Sequence, residues 1–216
     1  MKKRSETTSL KNSIISQIRG NKTFFIDIES TGFDPIRNDI ITGTIIVADE
    51  DLSILSQLSF KSRPDFNKFY SDEAEKVHGI SKSKMKSFPR RMDTCIEILN
   101  FLKPHLSRNR YPLVFHANGN FDWKMLHGMF YKEDIQYSLY KIFDESLLIS
   151  TLEMGKDYKR SLKQPLNKNN NLKYWADYIG FDLVHHTAES DTHCCYNLYK
   201  YFHQRLQSKY ELGKDN

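Results

Sequence analysis

A chain of 216 residues, 39% apolar and 27% charged, has the composition of a globular protein and the length for one substantial core. No apolar run approaches the length that spans a bilayer, so no membrane partner is expected and an intracellular, cytoplasmic setting is. Three cysteines, two of them adjacent at Cys194 and Cys195, exclude a disulfide framework, and a net charge of +5 is too modest to define a partner by itself.

Residues 1–21 are polar and charged, lack the apolar core of a signal peptide, and read as a flexible arm ahead of a domain at 22–206, with 207–216 as a short tail. Residues 22 to 29, 40 to 48 and 53 to 60 have the pattern of strands, with Asp49-Glu50-Asp51 turning the second into the third as an antiparallel hairpin. Ser71 and Gly79 fit the cap and the terminator of a short helix. From Arg91 to Lys103, Met92, Cys95, Ile96, Leu99 and Leu102 fall at helical spacing. The apolar run Leu113-Val114-Phe115 leads into a helix with Phe121, Met125, Leu126, Met129 and Phe130 on its buried stripe, and a strand follows towards Phe143, a βαβ pattern. The stretch from Thr151 to Asn170, dominated by Lys and Asn with a Gly and a Pro, is expected to be a long loop. Helices over Asn171 to Ile179 and Ala188 to Leu206 complete an α/β fold, a mixed sheet with helices on both faces.

Asp27 and Glu29 stand in the run Phe24-Phe25-Ile26-Asp27-Ile28-Glu29, which otherwise reads as a buried strand. Residues two apart on a strand point the same way, so the two carboxylates repel each other at low hydration, a cost that a divalent cation between them removes. Asp122 falls in the first turn of the helix after the Leu113 strand, where a carboxylate also has an ordinary role beside the helix dipole. Asp191 shares a helical stripe with Ala188, Cys195, Leu198 and Phe202, an apolar face on which an acid requires a partner.

Asp27-x-Glu29 with Ser30-Thr31-Gly32, Asn118-x-x-Phe121-Asp122, and His186-x-Ala188-x-x-Asp191, in this order, resemble the three motifs of the DnaQ-like (DEDDh) 3′-5′ exonucleases. Val77-His78-Gly79-Ile80 is similar to that family's His-Gly-Ile element, and Asn171 to Gly180 resembles the helix before its third motif. One departure falls at the second motif, where aligning Asn118 and Asp122 puts Ala117 in the place of the family's histidine and His116 one residue early. In a strand such a shift turns a side chain to the other face.

The resemblance implies a ribonuclease H-like fold and a phosphodiester hydrolase. Asp27, Glu29, Asp122 and Asp191 would be oxygen ligands of two Mg²⁺ or Mn²⁺ ions about 4 Å apart, and His186 the general base that takes a proton from the attacking water. Thr31, Gly32, Phe33, His78, Ile80 and Asn118 match positions that meet the terminal nucleotide. The implied substrate is the 3′ end of single-stranded nucleic acid, DNA first, released as 5′-mononucleotides, with RNA trimming, oligoribonucleotide degradation or a polymerase proofreading subunit as alternatives. The resemblance leaves room for a DNA polymerase or another replication or repair protein as partner, although the chain ends soon after its last helix and so reads as a stand-alone enzyme. Two basic groups, Lys82, Lys84, Lys86, Arg90, Arg91 and Lys156, Lys159, Arg160, Lys163, Lys168, are candidates to track the nucleic-acid backbone. A zinc hydrolase finds no support, because neither H-E-x-x-H nor paired C-x-x-C occurs.

Overall fold

The computed structural model describes residues 22–67, 71–107, 110–165, 170–184 and 187–211, with side chains up to residue 205. The expected arm at 1–21 lies outside the described residues, as do residues 212–216 of the expected tail; residues 207–211 continue the last helix.

Five strands form one mixed sheet in the order β3-β2-β1-β4-β5. They are β1 (Thr23–Ser30), β2 (Ile40–Ala48), β3 (Ile54–Lys61), β4 (Tyr111–Phe115) and β5 (Phe143–Ser150). The antiparallel meander β1-β2-β3 contains the expected hairpin, and β4 and β5 extend it in parallel with β1. The helices are α1 (Asp72–His78), α2 (Lys82–Met85), α3 (Arg91–Leu102), α4 (Phe121–Tyr131), α5 (Tyr137–Ile142), α6 (Thr151–Ser161), α7 (Leu172–Ile179) and α8 (Ala188–Glu211).

Alternation along β1 builds both layers. Phe24, Ile26 and Ile28 pack with Cys95 and Ile98 of α3, Met125 and Leu126 of α4, and Leu139 of α5. Phe25 faces the other way, against Cys195, Tyr196 and Tyr199 of α8, and Asp27 and Glu29 share that second face by the same period of two. Trp175 of α7 packs in turn on Cys194, Leu198 and Phe202. The sheet is thus covered by helices on both faces, and all three cysteines are free and buried.

Two expectations are corrected. The crossover from β4 to β5 holds a second helix, α5, and β5 begins at Phe143. Thr151 opens helix α6, where a loop was expected. Its buried stripe is Thr151, Leu152, Gly155 and Lys159, at helical spacing but with little hydrophobicity. Gly155 lies so close to Trp175 that a Cβ there would be 2.4 Å from the indole ring. Lys159 is only 2% exposed; its ammonium sits 4.1 Å from the ring centre of Tyr174 and 5.0 Å from that of Trp175. The charge is held by cation–π attraction and by Asn170 Oδ1 at 3.2 Å.

Candidate active site

A cleft of about 680 Å³ opens at the C-terminal ends of β1 and β4. Here the chain leaves β1 towards β2 on one side and β4 towards β5 on the other, the place where open α/β sheets commonly hold ligands. Asp27 and Glu29 come from β1, Asn118 from the turn after β4, Asp122 from the first turn of α4, and Asp191 from the first turn of α8. Asp27, Glu29 and Asp191 each bring an oxygen within 4.8 Å of the other two. Asp122 shares the cleft without joining that closest trio.

The carboxylates are held at a cost. Burial pushes the Asp27 carboxyl well above its ordinary range, and the charges of Asp122, Asp191 and Glu29 push the same way. Glu29 rises to about 7, through burial first and then through Asp191 and Asp122. Asp122 also reaches about 7 because of burial, although its own backbone amide and that of Ile28 pull it down. Among the described residues, burial and the neighbouring acids all act against the charge of Asp27 and Glu29. An all-oxygen set of converging acids, destabilised in the absence of positive charge, fits a hard divalent cation.

His116 also lines the cleft, together with Ala117. It follows the last residue of β4, so the one-residue offset in the motif does not turn it away. Its Nδ1 lies 2.8 Å from Thr151 Oγ1. Burial lowers its pKa to about 4 against an opposing hydrogen bond with the Asn170 backbone, which keeps the ring neutral near pH 7. Gly119 and Asn120 have φ of 63° and 60°, two left-handed residues in succession that turn the chain from β4 into α4; asparagine tolerates this conformation better than most side chains.

Phe33 is 82% exposed on the cleft wall, its ring centre 5.8 Å from that of Phe121. Asn118 lines the same cleft, whereas Thr31, Gly32, His78 and Ile80, also matched to nucleotide contacts, do not. Thr31 is buried, its amide donating to the Asp39 carbonyl at 2.9 Å and its hydroxyl accepting from the Asp39 amide at 2.9 Å. Gly32 backs onto Asn38, where a Cβ would fall 2.7 Å from the side-chain amide. His78 closes α1, its Nδ1 accepting from the Ile80 amide at 3.0 Å, and Ile80 packs beside Ile41, Met85 and Phe88. The Ser71 amide, at the cap of α1, donates to the Thr31 carbonyl at 2.9 Å and so ties this helix to the turn after β1. His185 and His186 lie outside the described residues. Just after them, the Asp191 amide donates to the Thr187 carbonyl at 2.9 Å, fixing the first turn of α8.

Sequence reasoning missed Leu152 as a cleft residue, named Lys156 only as one of a basic group, took Asn170 only as the end of a loop, and used Asn171 and Leu172 only as part of a helix. Lys156 reaches the cleft from α6 while pairing with Glu153 at 2.6 Å. The basic groups also need correction. Lys82, Lys84, Lys86 and Arg90 are exposed, but Arg91 is bound to Asp39 and Glu133. Lys159 is buried, Arg160 pairs with Asp157 at 2.8 Å, and Lys168 lies outside the described residues.

Comparison with known proteins identifies the family. The exonuclease family model (RNase_T) matches residues 24–199. The chain belongs to that family, as a DnaQ-like 3′-5′ exonuclease domain with the ribonuclease H-like fold. It is 27% identical over 164 residues to an oligoribonuclease of Actinobacillus pleuropneumoniae serotype 5b (strain L20), covering 72% of this chain and 85% of that one. E. coli exonuclease I in complex with a dT13 oligonucleotide has a similar fold, with a TM-score of 0.71 and 16% identity over 88% of this chain. The match spans only 43% of exonuclease I. Cell-death related nuclease 4 (CRN-4) matches with a TM-score of 0.68 and 11% identity over 88% of this chain and 65% of its own.

Proposed function

We propose that the cleft hydrolyses the terminal phosphodiester bond at the 3′ end of a single strand and releases a 5′-mononucleotide. The observation that carries this reading is the convergence of Asp27, Glu29 and Asp191 with Asp122 beside them, in a chain of the exonuclease family. Bound by these residues, two Mg²⁺ or Mn²⁺ ions supply the Lewis acidity that sharpens the attacking water and steadies the leaving 3′-oxygen. Asp27 would be the ligand common to the site, with Glu29 and Asp191 completing it on the side of the attacking water and Asp122 on the side of the leaving group. His186 takes the proton from the attacking water, a task suited to an imidazole titrating near neutrality. Phe33 offers an exposed ring face to the terminal base, and Asn118 a side-chain amide to its backbone. Thr31, Gly32, His78 and Ile80 support that pocket by fixing the turn and the helix beside it.

A single strand is favoured over a duplex because a paired end must first fray, at a cost of a few kcal/mol. A second reading, in which the natural substrates are short RNA fragments, is favoured by one observation, the similarity to an oligoribonuclease along 85% of that protein. End-labelled single-stranded DNA and RNA of the same base sequence, digested side by side with and without Mg²⁺, test both. Metal-dependent shortening from the 3′ end supports the proposal, and the ratio of the two rates selects the sugar. Cleavage in EDTA or from the 5′ end contradicts it.

A further inference from the structure

On the outer side of α4 lies a second cavity of about 740 Å³, enclosed by that helix, by Pro35 and Ile36, and by Tyr140 of α5. That volume is within the range of small-ligand pockets. Its wall is aromatic. Trp123, His127 and Tyr131 follow one another up α4 at intervals of four, so they share one helix face. The His127 ring is 5.1 Å from Tyr140 and stacks on Tyr131 at 6.4 Å with an angle of 23° between the planes. Tyr131 is 62% exposed and Ile36 76%, two large apolar groups that both line the hollow. Gly128 keeps the hollow closed on one side, because a Cβ there would come within 2.6 Å of the Pro35 carbonyl oxygen.

The two cavities share a wall. Phe33 and Phe121 line the cleft, while Pro35, Asn120 and Trp123, from the same two segments, line the second cavity. The contact between Phe33 and Phe121 thus lies on the cleft side, where these two segments pass from one cavity to the other. Lys124 lines the second cavity and makes no ion pair among the described residues. Aromatic faces, a cation and continuity with a cleft read as a strand-end site call for one kind of occupant.

We propose that the second cavity receives a base of the same single strand, 5′ to the bond cut in the cleft, with the strand passing the Phe33–Phe121 contact. The inference rests on the reading of the cleft given above. Every base has a π face, so stacking on Tyr131 and His127 tolerates any sequence, and Lys124 meets the backbone as a point charge. The cavity would then grade substrates by length, since a strand too short to reach it gains nothing from it.

The test compares the full-length protein with an Ile36→Ala/Tyr131→Ala double variant, both exposed positions whose truncation leaves the core intact. Binding of fluorescein-labelled dithymidylate and hexathymidylate, and of their uridine counterparts, is read by anisotropy in an Asp27→Asn background so that strands stay whole. KM on the same oligomers is measured with Asp27 in place and Mg²⁺ present. We expect the double variant to lose about tenfold or more in hexamer affinity relative to dimer affinity, with a matching rise in the ratio of the two KM values. Wild-type hexamer affinity in the double variant overturns the inference, as does an equal loss for both lengths. Failure of the protein with Asp27 and Mg²⁺ to cleave either oligomer is a different result; it refutes the reading of the cleft and the subsite with it.

Discussion

Asp27 is the residue on which the site turns. Its carboxyl is half-buried, and among the described residues its desolvation and the charges of three other acids all raise its pKa. Asp27→Asn removes that repulsion while keeping the shape, so the variant should melt higher than the wild type in EDTA. The expected gain is a few degrees, as about 1 kcal/mol shifts Tm by 2–4 °C at this chain length. Mg²⁺ or Mn²⁺ should raise the wild-type Tm and leave that of Asp27→Asn almost unchanged. Calorimetry with and without metal checks both signs, and a variant that melts lower in EDTA removes the electrostatic argument. At the third motif, His186→Ala should lower kcat by about 10²–10⁴-fold, with His185→Ala closer to wild type. Steady-state rates at matched stability decide this, and a larger loss for His185→Ala shifts the motif by one residue. Asp27, Glu29 and Asp191 were legible because a carboxylate on an apolar strand or stripe violates the local pattern, whereas Asp122, ordinary at a helix start, was picked out only by the motif in which it stands. Lys156 was named only as one of a basic group, since a lysine between a glycine and an aspartate carries no such violation.

Among the elements, α6 separates pattern from packing. Its buried stripe is Thr151, Leu152, Gly155 and Lys159, and its partners are the rings of Trp175 and Tyr174. A glycine and a lysine contribute almost nothing to a hydrophobic count, so the segment has the composition of a loop. What makes it a helix is a neighbour far along the chain. Lys159→Met keeps most of the stem and loses the cation–π attraction, a contribution of about 0.5–2 kcal/mol. The variant should melt lower by a few degrees, and because the Lys159 hydrogen bond that helps to fix Asn170 on the cleft wall is lost, KM should rise more than kcat falls. A fully wild-type Tm and KM would contradict the assignment of this lysine to the fold. The strands and the long helices α3, α4 and α8 were readable because their own residues carry the period. Helix α5, at six residues, is too short to show one.

The whole molecule combines two electrostatic designs with opposite pH dependence. Around the turn after β1, Asp39 takes Arg91 Nη1 at 3.0 Å, Lys132 Nζ at 2.8 Å and the Asp65 amide at 2.8 Å. Burial raises its pKa, but the Lys132 hydrogen bond, the Asp65 amide and the two cations more than offset it, and the net shift is downward. A folded pKa below the unfolded one contributes stability above about pH 4 that disappears as pH falls through the folded value. In the cleft the sign is reversed. Glu29 and Asp122, raised to about 7, bind more protons folded than unfolded between about pH 4 and 7, so the metal-free fold loses stability as pH rises through that window. Tm in EDTA should therefore pass through a maximum on the acid side of neutrality, and divalent metal should restore what is lost on the alkaline side. A flat profile from pH 5 to 8 without metal would refute the raised carboxylates.

The most direct measurement of the central claim follows a 5′-labelled single strand incubated with wild-type protein and Mg²⁺, with Asp27→Ala in parallel. The account predicts a ladder that shortens one nucleotide at a time from the 3′ end, abolished by EDTA and by the substitution. Cleavage by Asp27→Ala at the wild-type rate, or immediate release of the labelled 5′ nucleotide, would contradict it.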